Sequence, residues 1–303
     1  MAQIKKNTSL RKAILQAAIT GQLISDIGGE SLPLAAAGKP SSATPSPRGY
    51  APKTPNEFAS FENQNSVSER SERPTLPETG KQLLDRIIEE RNNKLLAEWE
   101  ETLKKNVGGK ATLPSLASKT RAKKPAPIVA SEIDEEEIPF EVPESWCWCH
   151  LGEIFKVTMG QSPEGSNVGE EKEGMEFHQG KIFFTDKYIA TSNQKTSEIT
   201  KIAEPGSILL CMRAPVGKVN ITNRQICIGR GLSSIVPLGE IALEWAFHLF
   251  ETLESDFIDK STGSTFKAIT GDVVKEQLIP LPPLAEQKVI VKKLEELLPL
   301  CKY

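Results

Sequence analysis

Cys147, Cys149 and His150 fall within four residues of one another and invite a metal reading. If Trp146-Cys147-Trp148-Cys149 is a strand, its side chains alternate. The two thiols then share one face and His150 points to the other. No second pair follows at zinc-ribbon spacing, so the pattern reads as strand packing and no metal ligand is assigned. His178 and His248 are isolated as well. Gly217-Lys218 lacks the upstream glycine of a phosphate-binding loop. Neither a Gly-x-Gly-x-x-Gly turn after a strand nor a Gly-x-Ser-x-Gly elbow occurs. No carboxylate is marked by a motif, so no catalytic residue is assigned. That blank favours a binding protein over an enzyme.

Binding chemistry collects elsewhere. Residues 181–230 hold Lys181, Lys187, Lys195, Lys201, Arg213, Lys218, Arg224 and Arg230 against only Asp186, Glu198 and Glu204. Asn193, Gln194, Asn220, Asn223 and Gln225 are interleaved. The surrounding region, 138–278, is acidic overall, with 13 Lys+Arg against 19 Asp+Glu. Arginine reads guanine, and Asn or Gln adenine, through paired hydrogen bonds in the major groove, while lysine tethers phosphates. By charge alone, such a window is more often a solvated face.

The elements that must position these groups can be read along the chain. Its 303 residues are 38% hydrophobic with a net charge of −3, which excludes a bulk-basic DNA binder. No apolar run approaches the ~20 residues of a membrane helix. The first residues lack a signal-peptide pattern. Five cysteines is an odd, scattered set, read as reduced thiols in a cytoplasmic protein. Residues 1–26 read as a short basic helix with Leu10, Ala13, Ile14, Ala17 and Ala18 on one face. It is too short to stand alone in water and must pack on something.

Residues 27–79 hold eight prolines and eight serines, with only 14 apolar residues in 53, and read as a disordered insertion. Residues 80–109 read as an amphipathic helix opened by a Thr79/Gln82 capping box, with a stripe running from Leu83 to Leu103. Residues 110–137 form a charged linker that ends in an acidic run. Residues 138–279 have strand-rich globular texture, with short apolar runs at Lys181–Phe184 and Ser207–Met212 and a helical pattern at Leu243–Leu249. The fold class is α+β. Residues 280–303 close the chain with a hinge, since Ile279-Pro280-Leu281-Pro282-Pro283 is polyproline-like, and a short helix. In that helix Leu284, Val291, Leu294 and Leu298 follow coiled-coil spacing over two heptads, a seam that needs another helix from this chain or a partner.

The tail Ile279-Pro280-Leu281-Pro282-Pro283-Leu284-Ala285-Glu286-Gln287-Lys288, continuing through Leu294-Glu295-Glu296-Leu297-Leu298, resembles the conserved region of type I restriction–modification specificity subunits. There it ends a target-recognition domain and opens a spacer helix. Leu10 to Leu23 is similar to the family's N-terminal helix, Ile138 to Trp146 to the opening of a recognition domain, and Gly217 to Gly231 to its inner core.

The resemblance implies a non-catalytic reader of double-stranded DNA. It would bind methyltransferase subunits that use S-adenosylmethionine to methylate adenine, and a restriction subunit that uses ATP and magnesium, while holding no cofactor itself. Family members usually carry two recognition domains and two spacer helices, whereas one domain and a truncated spacer are legible here. Two forms follow: a half-subunit that pairs with a second copy or another half, or a truncated inactive product acting as a helical adaptor. A C2 dimer would read a palindromic bipartite site. A stand-alone DNA methyltransferase would need a cofactor-binding glycine-rich loop or an Asn-Pro-Pro-Tyr motif, and neither is present.

On this reading Lys181, Lys187, Lys195 and Lys218 tether phosphates, and Gln161, Ser162, Asn193, Gln194 and Arg213 read bases from turns. Ser264, Thr265 and Lys267 form a second polar loop at the DNA. Arg230, between two glycines, is read either as a contact or as a structural arginine buried against strands. Leu10, Ile14, Ala17, Leu284, Val291, Leu294 and Leu298 form the partner or dimer helix faces, with packing inside the chain as the alternative.

Overall fold

A computed structural model of the chain describes residues 2–25, 78–108, 124–263 and 267–301. The insertion expected over 27–79 lies outside these residues up to 77, and the linker up to 123. The helices are α1 (Ala2–Ile19), α2 (Gln22–Ser25), α3 (Gly80–Gly108), α4 (Leu151–Ile154), α5 (Leu243–Thr252), α6 (Glu254–Asp259), α7 (Gly271–Lys275) and α8 (Leu284–Leu297). The strands are β1 (Cys147–His150), β2 (Phe155–Met159), β3 (Val168–Gly169), β4 (Met175–His178), β5 (Lys195–Thr196) and β6 (Ile202–Ala203). They continue with β7 (Ile208–Cys211), β8 (Val219–Ile221), β9 (Ile226–Ile228), β10 (Leu232–Pro237) and β11 (Leu278–Leu281).

Three sheets result, ordered β1-β11, β2-β10-β7-β8 and β3-β5-β4-β9-β6, and every pairing except β4 with β9 is antiparallel. β7 shows why they stack. Its Ile-Leu-Leu-Cys run is buried on both faces, as an uninterrupted apolar strand must be. Ile208 and Leu210 join the main core with Phe155, Ile221, Ile235 and the helices. Leu209 and Cys211 join a second core with Ile189, Ala203, Ile226, Ile228 and Leu232. The order is therefore a helical layer, the four-stranded sheet, then the five-stranded sheet.

The helical layer closes the domain on itself. β1 pairs with β11 in the register Cys147↔Leu281 and Trp148↔Pro280, so the domain begins and ends at one place. The hinge expected at Ile279–Pro283 is thus half strand. A two-stranded sheet has only edge strands, where proline's missing N–H is tolerated. The run at Lys181–Phe184 also differs from expectation, since Lys181–Phe183 form a single 3-10 turn.

α3 starts with the expected capping box: Thr79 N donates to Gln82 Oε1 (2.8 Å) and Gln82 N donates to Thr79 Oγ1 (3.2 Å). Among its described side chains, the buried apolar ones are Leu83, Leu84, Ile87 and Ile88, all in the first half. Asn92 holds the chain at Ile128 by accepting from its N–H (2.7 Å) and donating to its carbonyl (2.8 Å). Arg91 donates to the Glu153 carbonyl at 2.6 Å.

α1 packs on α5 and α8. Its buried residues are Leu15, Ala18 and Ile19, with Ile14 half-buried beside them and Leu10 48% exposed. The buried face is thus rotated from the one periodicity selects. Arg11 donates to Glu251 at 2.8 Å. Burial opposes charge on Glu251, but His248 and Arg11 outweigh it and hold its carboxyl below the usual range. The α8 seam is filled within the chain. Leu294 and Leu298 are buried, and Leu284 and Val291 lie half-buried against the same core.

Gln287, fully buried, ties three elements together. Its Oε1 accepts from Ala242 N (2.9 Å) at the start of α5, and its Nε2 donates to Pro282 O (3.0 Å) after β11. Gln287→Leu keeps the size but strands a buried donor and a buried acceptor. The expected loss is about 2–3 kcal/mol of unfolding free energy, read by urea denaturation.

Candidate nucleic-acid interface

The register of the four-stranded sheet aligns the end of β2 with the start of β10 (Met159↔Ser233) and that start with the end of β7 (Leu232↔Cys211). The turns beyond these ends meet. Gly160 N donates to Leu232 O (2.9 Å), Gln161 N to Ile228 O (3.0 Å) and Met212 N to Gly231 O (2.9 Å). Gly229 N donates to His178 O (2.7 Å), which brings in the end of β4. Ala214 N donates to Lys267 O (3.0 Å), which brings in the segment before α7.

The centre of this rim is the turn Gly229-Arg230-Gly231, closed by Leu232 N donating to Gly229 O at 3.0 Å. A Cβ on Gly231 would stand 2.0 Å from Gln179 O, and one on Gly229 would stand 2.8 Å from the Phe177 ring. Arg230 N donates to Ser162 Oγ at 3.2 Å.

Gln161, Gln179, Lys181, Arg213, Arg230 and Lys267 are exposed around it, with Ser162 half-buried. Among the described residues, none of these four cations makes an ion pair. The rim therefore presents free guanidinium, ammonium and amide donors with no acid to neutralise them.

A charge cluster braces the strand beneath. Glu176, on β4, accepts from Arg224 Nε (2.8 Å) and Nη2 (2.6 Å), from Ser192 N (2.7 Å) and from His178 Nε2 (2.7 Å). Burial resists ionisation of Glu176, but the bonds from Arg224, Ser192 and His178 outweigh it and bring its pKa down to about 2. Burial, opposed by Glu176, holds the His178 imidazole below its ordinary value of 6.5. Arg224 also donates to the carbonyls of Ile189 (3.2 Å) and Ala190 (3.1 Å), pinning that loop to the sheet.

Of the residues expected at DNA, the structure brings Gln161, Ser162, Lys181, Arg213 and Lys267 to this rim. Lys218 lies in the β7–β8 hairpin but is paired with Glu254 at 2.8 Å. Lys187 faces Glu244 at 3.6 Å, away from the turns. Asn193 and Gln194 precede β5 on the other sheet, where their amides donate to Glu170. Lys195 is exposed on β5. Ser264 and Thr265 lie outside the described residues.

Arg230 is exposed, which overturns its reading as a structural arginine buried against strands. Arg224 is the arginine bonded among the strands. Gln179 and the Glu176–Arg224 pair were not singled out from sequence. The two glycines around Arg230 were the one legible signal for the turn. Burial raises the Cys147 thiol to about 12 and pushes the Cys149 thiol well above its ordinary value, so both stay protonated. Among the described residues, no group of three or more His, Cys, Asp or Glu could hold a metal ion.

Residues 143–300 match the family described as the type I restriction modification DNA specificity domain. The chain belongs to this family. The specificity domain of this chain is also similar to curated proteins. It is 39% identical over 158 residues to a putative type I restriction enzyme MjaX specificity subunit of Methanocaldococcus jannaschii, covering 51% of this chain and 37% of that protein. It is 36% identical over 171 residues to the type I restriction enzyme MjaIX specificity subunit of the same organism, covering 53% and 39%. The chain thus spans about two-fifths of the length of these relatives. A solved HsdS subunit from Thermoanaerobacter tengcongensis is similar at a TM-score of 0.48 and 28% identity, over 73% of this chain and 49% of that one.

The brace beneath the specificity domain's rim has a pH signature. The Glu176 pKa is below its ordinary 4.5 in the fold. Its contribution is therefore fully present above about pH 4.5 and is lost as the pH falls toward about 2. His178, held neutral by burial, loses its contribution in the same direction, from about pH 6.5 downward. Glu176→Gln should cost about 2–3 kcal/mol at pH 7, because Arg224 loses its ionic partner in a half-buried site. In urea unfolding, the gap between variant and wild type should narrow below pH 4. A gap independent of pH would remove the carboxylate from the account.

Proposed function

We propose that this chain reads a DNA sequence for a type I restriction–modification complex and leaves the chemistry to partner subunits. The observation that carries the reading is the rim of unpaired Lys181, Arg213, Arg230 and Lys267 around Gln161, Ser162 and Gln179 at one end of the four-stranded sheet. Cations without acidic partners release counterions on meeting phosphates, which gives affinity. Arginine and glutamine side chains carried on tight turns can reach base edges in the major groove, which gives specificity. Family membership supports the same reading.

In this proposal methyltransferase subunits supply S-adenosylmethionine-dependent adenine methylation, and a restriction subunit supplies ATP- and magnesium-dependent cleavage. Arg213, Gln161 and Ser162 serve as base readers, and Lys181 and Lys267 as phosphate tethers. Asn193, Gln194 and Lys195 form a separate polar group at the start of β5, outside the core of the interface. A second copy or another half-subunit would supply the other half of a bipartite target, read with two-fold symmetry where the copies are identical. Leu10, an exposed large apolar residue of α1, is available to such a partner, while Leu294 and Leu298 are already used inside the chain. No helix among the described residues is long and apolar enough to cross a membrane.

The test is to co-express the chain with its methyltransferase subunits, map methylated adenines across the host DNA, and then measure binding to duplexes carrying the mapped site. Lys181→Ala and Lys267→Ala should weaken binding to every duplex alike. Each should flatten the slope of log K against log salt by about one unit. Lys187→Ala and Lys218→Ala should leave that slope nearly unchanged, because Glu244 and Glu254 already pair those ammonium groups. Equal effects from paired and unpaired lysines would place the DNA elsewhere on the surface.

A further inference from the structure

We propose that Arg230 is a specificity-determining residue that reads a guanine through its O6 and N7 acceptors in the major groove. The inference rests on the DNA-reading function proposed above and assigns one base contact within it.

Three observations single out Arg230 among the rim cations. The first is anchorage. Its N–H donates to Ser162 Oγ (3.2 Å), the carbonyl of Gly229 accepts from Leu232 N (3.0 Å), and the carbonyl of Gly231 accepts from Met212 N (2.9 Å). The second is clearance. Gly229 and Gly231 face contacts of 2.8 and 2.0 Å at any added Cβ, so the turn lies pressed against Phe177 and Gln179. The only side chain that this turn carries is the arginine, and it points to solvent. The third is chemistry combined with freedom. Among the described residues it shares with the other rim cations the lack of an ion-pair partner, but unlike Lys181 and Lys267 it carries a free guanidinium, and the bonding inside the fold falls to Arg224 instead.

An arginine on a fixed backbone turn is suited to base reading. Guanidinium is a planar fork whose two parallel N–H groups match the two acceptors of guanine. Holding the stem's origin still lowers the ordering cost of that bidentate contact. Lysine at 181 or 267 offers a point charge on a flexible stem, which suits phosphate.

The experiment compares methylation maps directed by the wild-type chain, Arg230→Ala and Arg230→Lys, each co-expressed with the methyltransferase subunits. Both variants should still direct methylation to the wild-type site, but with relaxed choice at one G·C position. Discrimination there should fall by roughly five- to 150-fold. Arg230→Lys keeps the charge, so it should keep the salt slope of binding while losing that discrimination. A site unchanged at every position in both variants would overturn the assignment. So would a uniform loss of methylation in Arg230→Ala that Arg230→Lys restores, since that marks a phosphate contact. If the wild-type chain directs methylation to no defined site, the DNA-reading proposal itself falls, and this inference with it.

Discussion

The rim depends on one steric constraint: the backbone of the Gly229-Arg230-Gly231 turn lies against the Gln179 carbonyl with no room for a side chain at either flank. That contact brings the end of β4 to the junction of β9 and β10. The hydrogen bonds from Gly160, Gln161 and Met212 then draw in the turns after β2 and β7. Five chain segments distant in sequence share one edge because their backbones bond to one another there. Their side chains are left to point outward. Cations and amides on such an edge meet water in the free protein and lose little by exchanging it for phosphate and base edges.

The same edge needs a rigid floor, and the two-faced burial of β7 provides it. Leu209 and Cys211 pack on the five-stranded sheet while Ile208 and Leu210 pack on the helical core. A shift of the four-stranded sheet would therefore open both cores at once. Glu176 adds a directional lock. Its bonds to Arg224, Ser192 and His178 fix β4 to the loop at 188–192, and the carbonyl of that same His178 receives Gly229 N. The charge is paired and hydrogen-bonded, which is the condition under which a partly buried carboxylate can be kept.

Much of the fold was legible where local chemistry decides it. The Thr79/Gln82 cap, the unbroken apolar run of β7 and the helix at α5 depend on neighbours in sequence. What failed depends on neighbours in space. Ile279-Pro280-Leu281 looks like polyproline until β1 arrives to pair with it. Leu294 and Leu298 mark a seam that needs a helix from this chain or from a partner, and only the folded chain decides between them by bringing α1 there. The candidate site divides in the same way. A window of excess positive charge cannot separate Arg224 from Arg230, six residues apart, because the difference is whether Glu176 lies within reach. Lys187 and Lys218 carry the same charge as Lys181, yet acids on α5 and α6 neutralise them.

Charge in this fold is therefore divided by task. Arg224 spends its donors on Glu176 and two carbonyls and holds the platform together. Arg230 makes no such bonds and is held only by its backbone, so its donors remain available. Arg224 cannot do both, because its Nε and Nη2 are bonded to Glu176 and its remaining N–H groups to the oxygens of Ile189, Ala190 and Asn223, which leaves no free fork to read a guanine. Tight glycine flanks solve the problem that this creates, since an unbonded side chain would otherwise wander. The backbone supplies the order that an ion pair would have supplied, and it does so without consuming a donor.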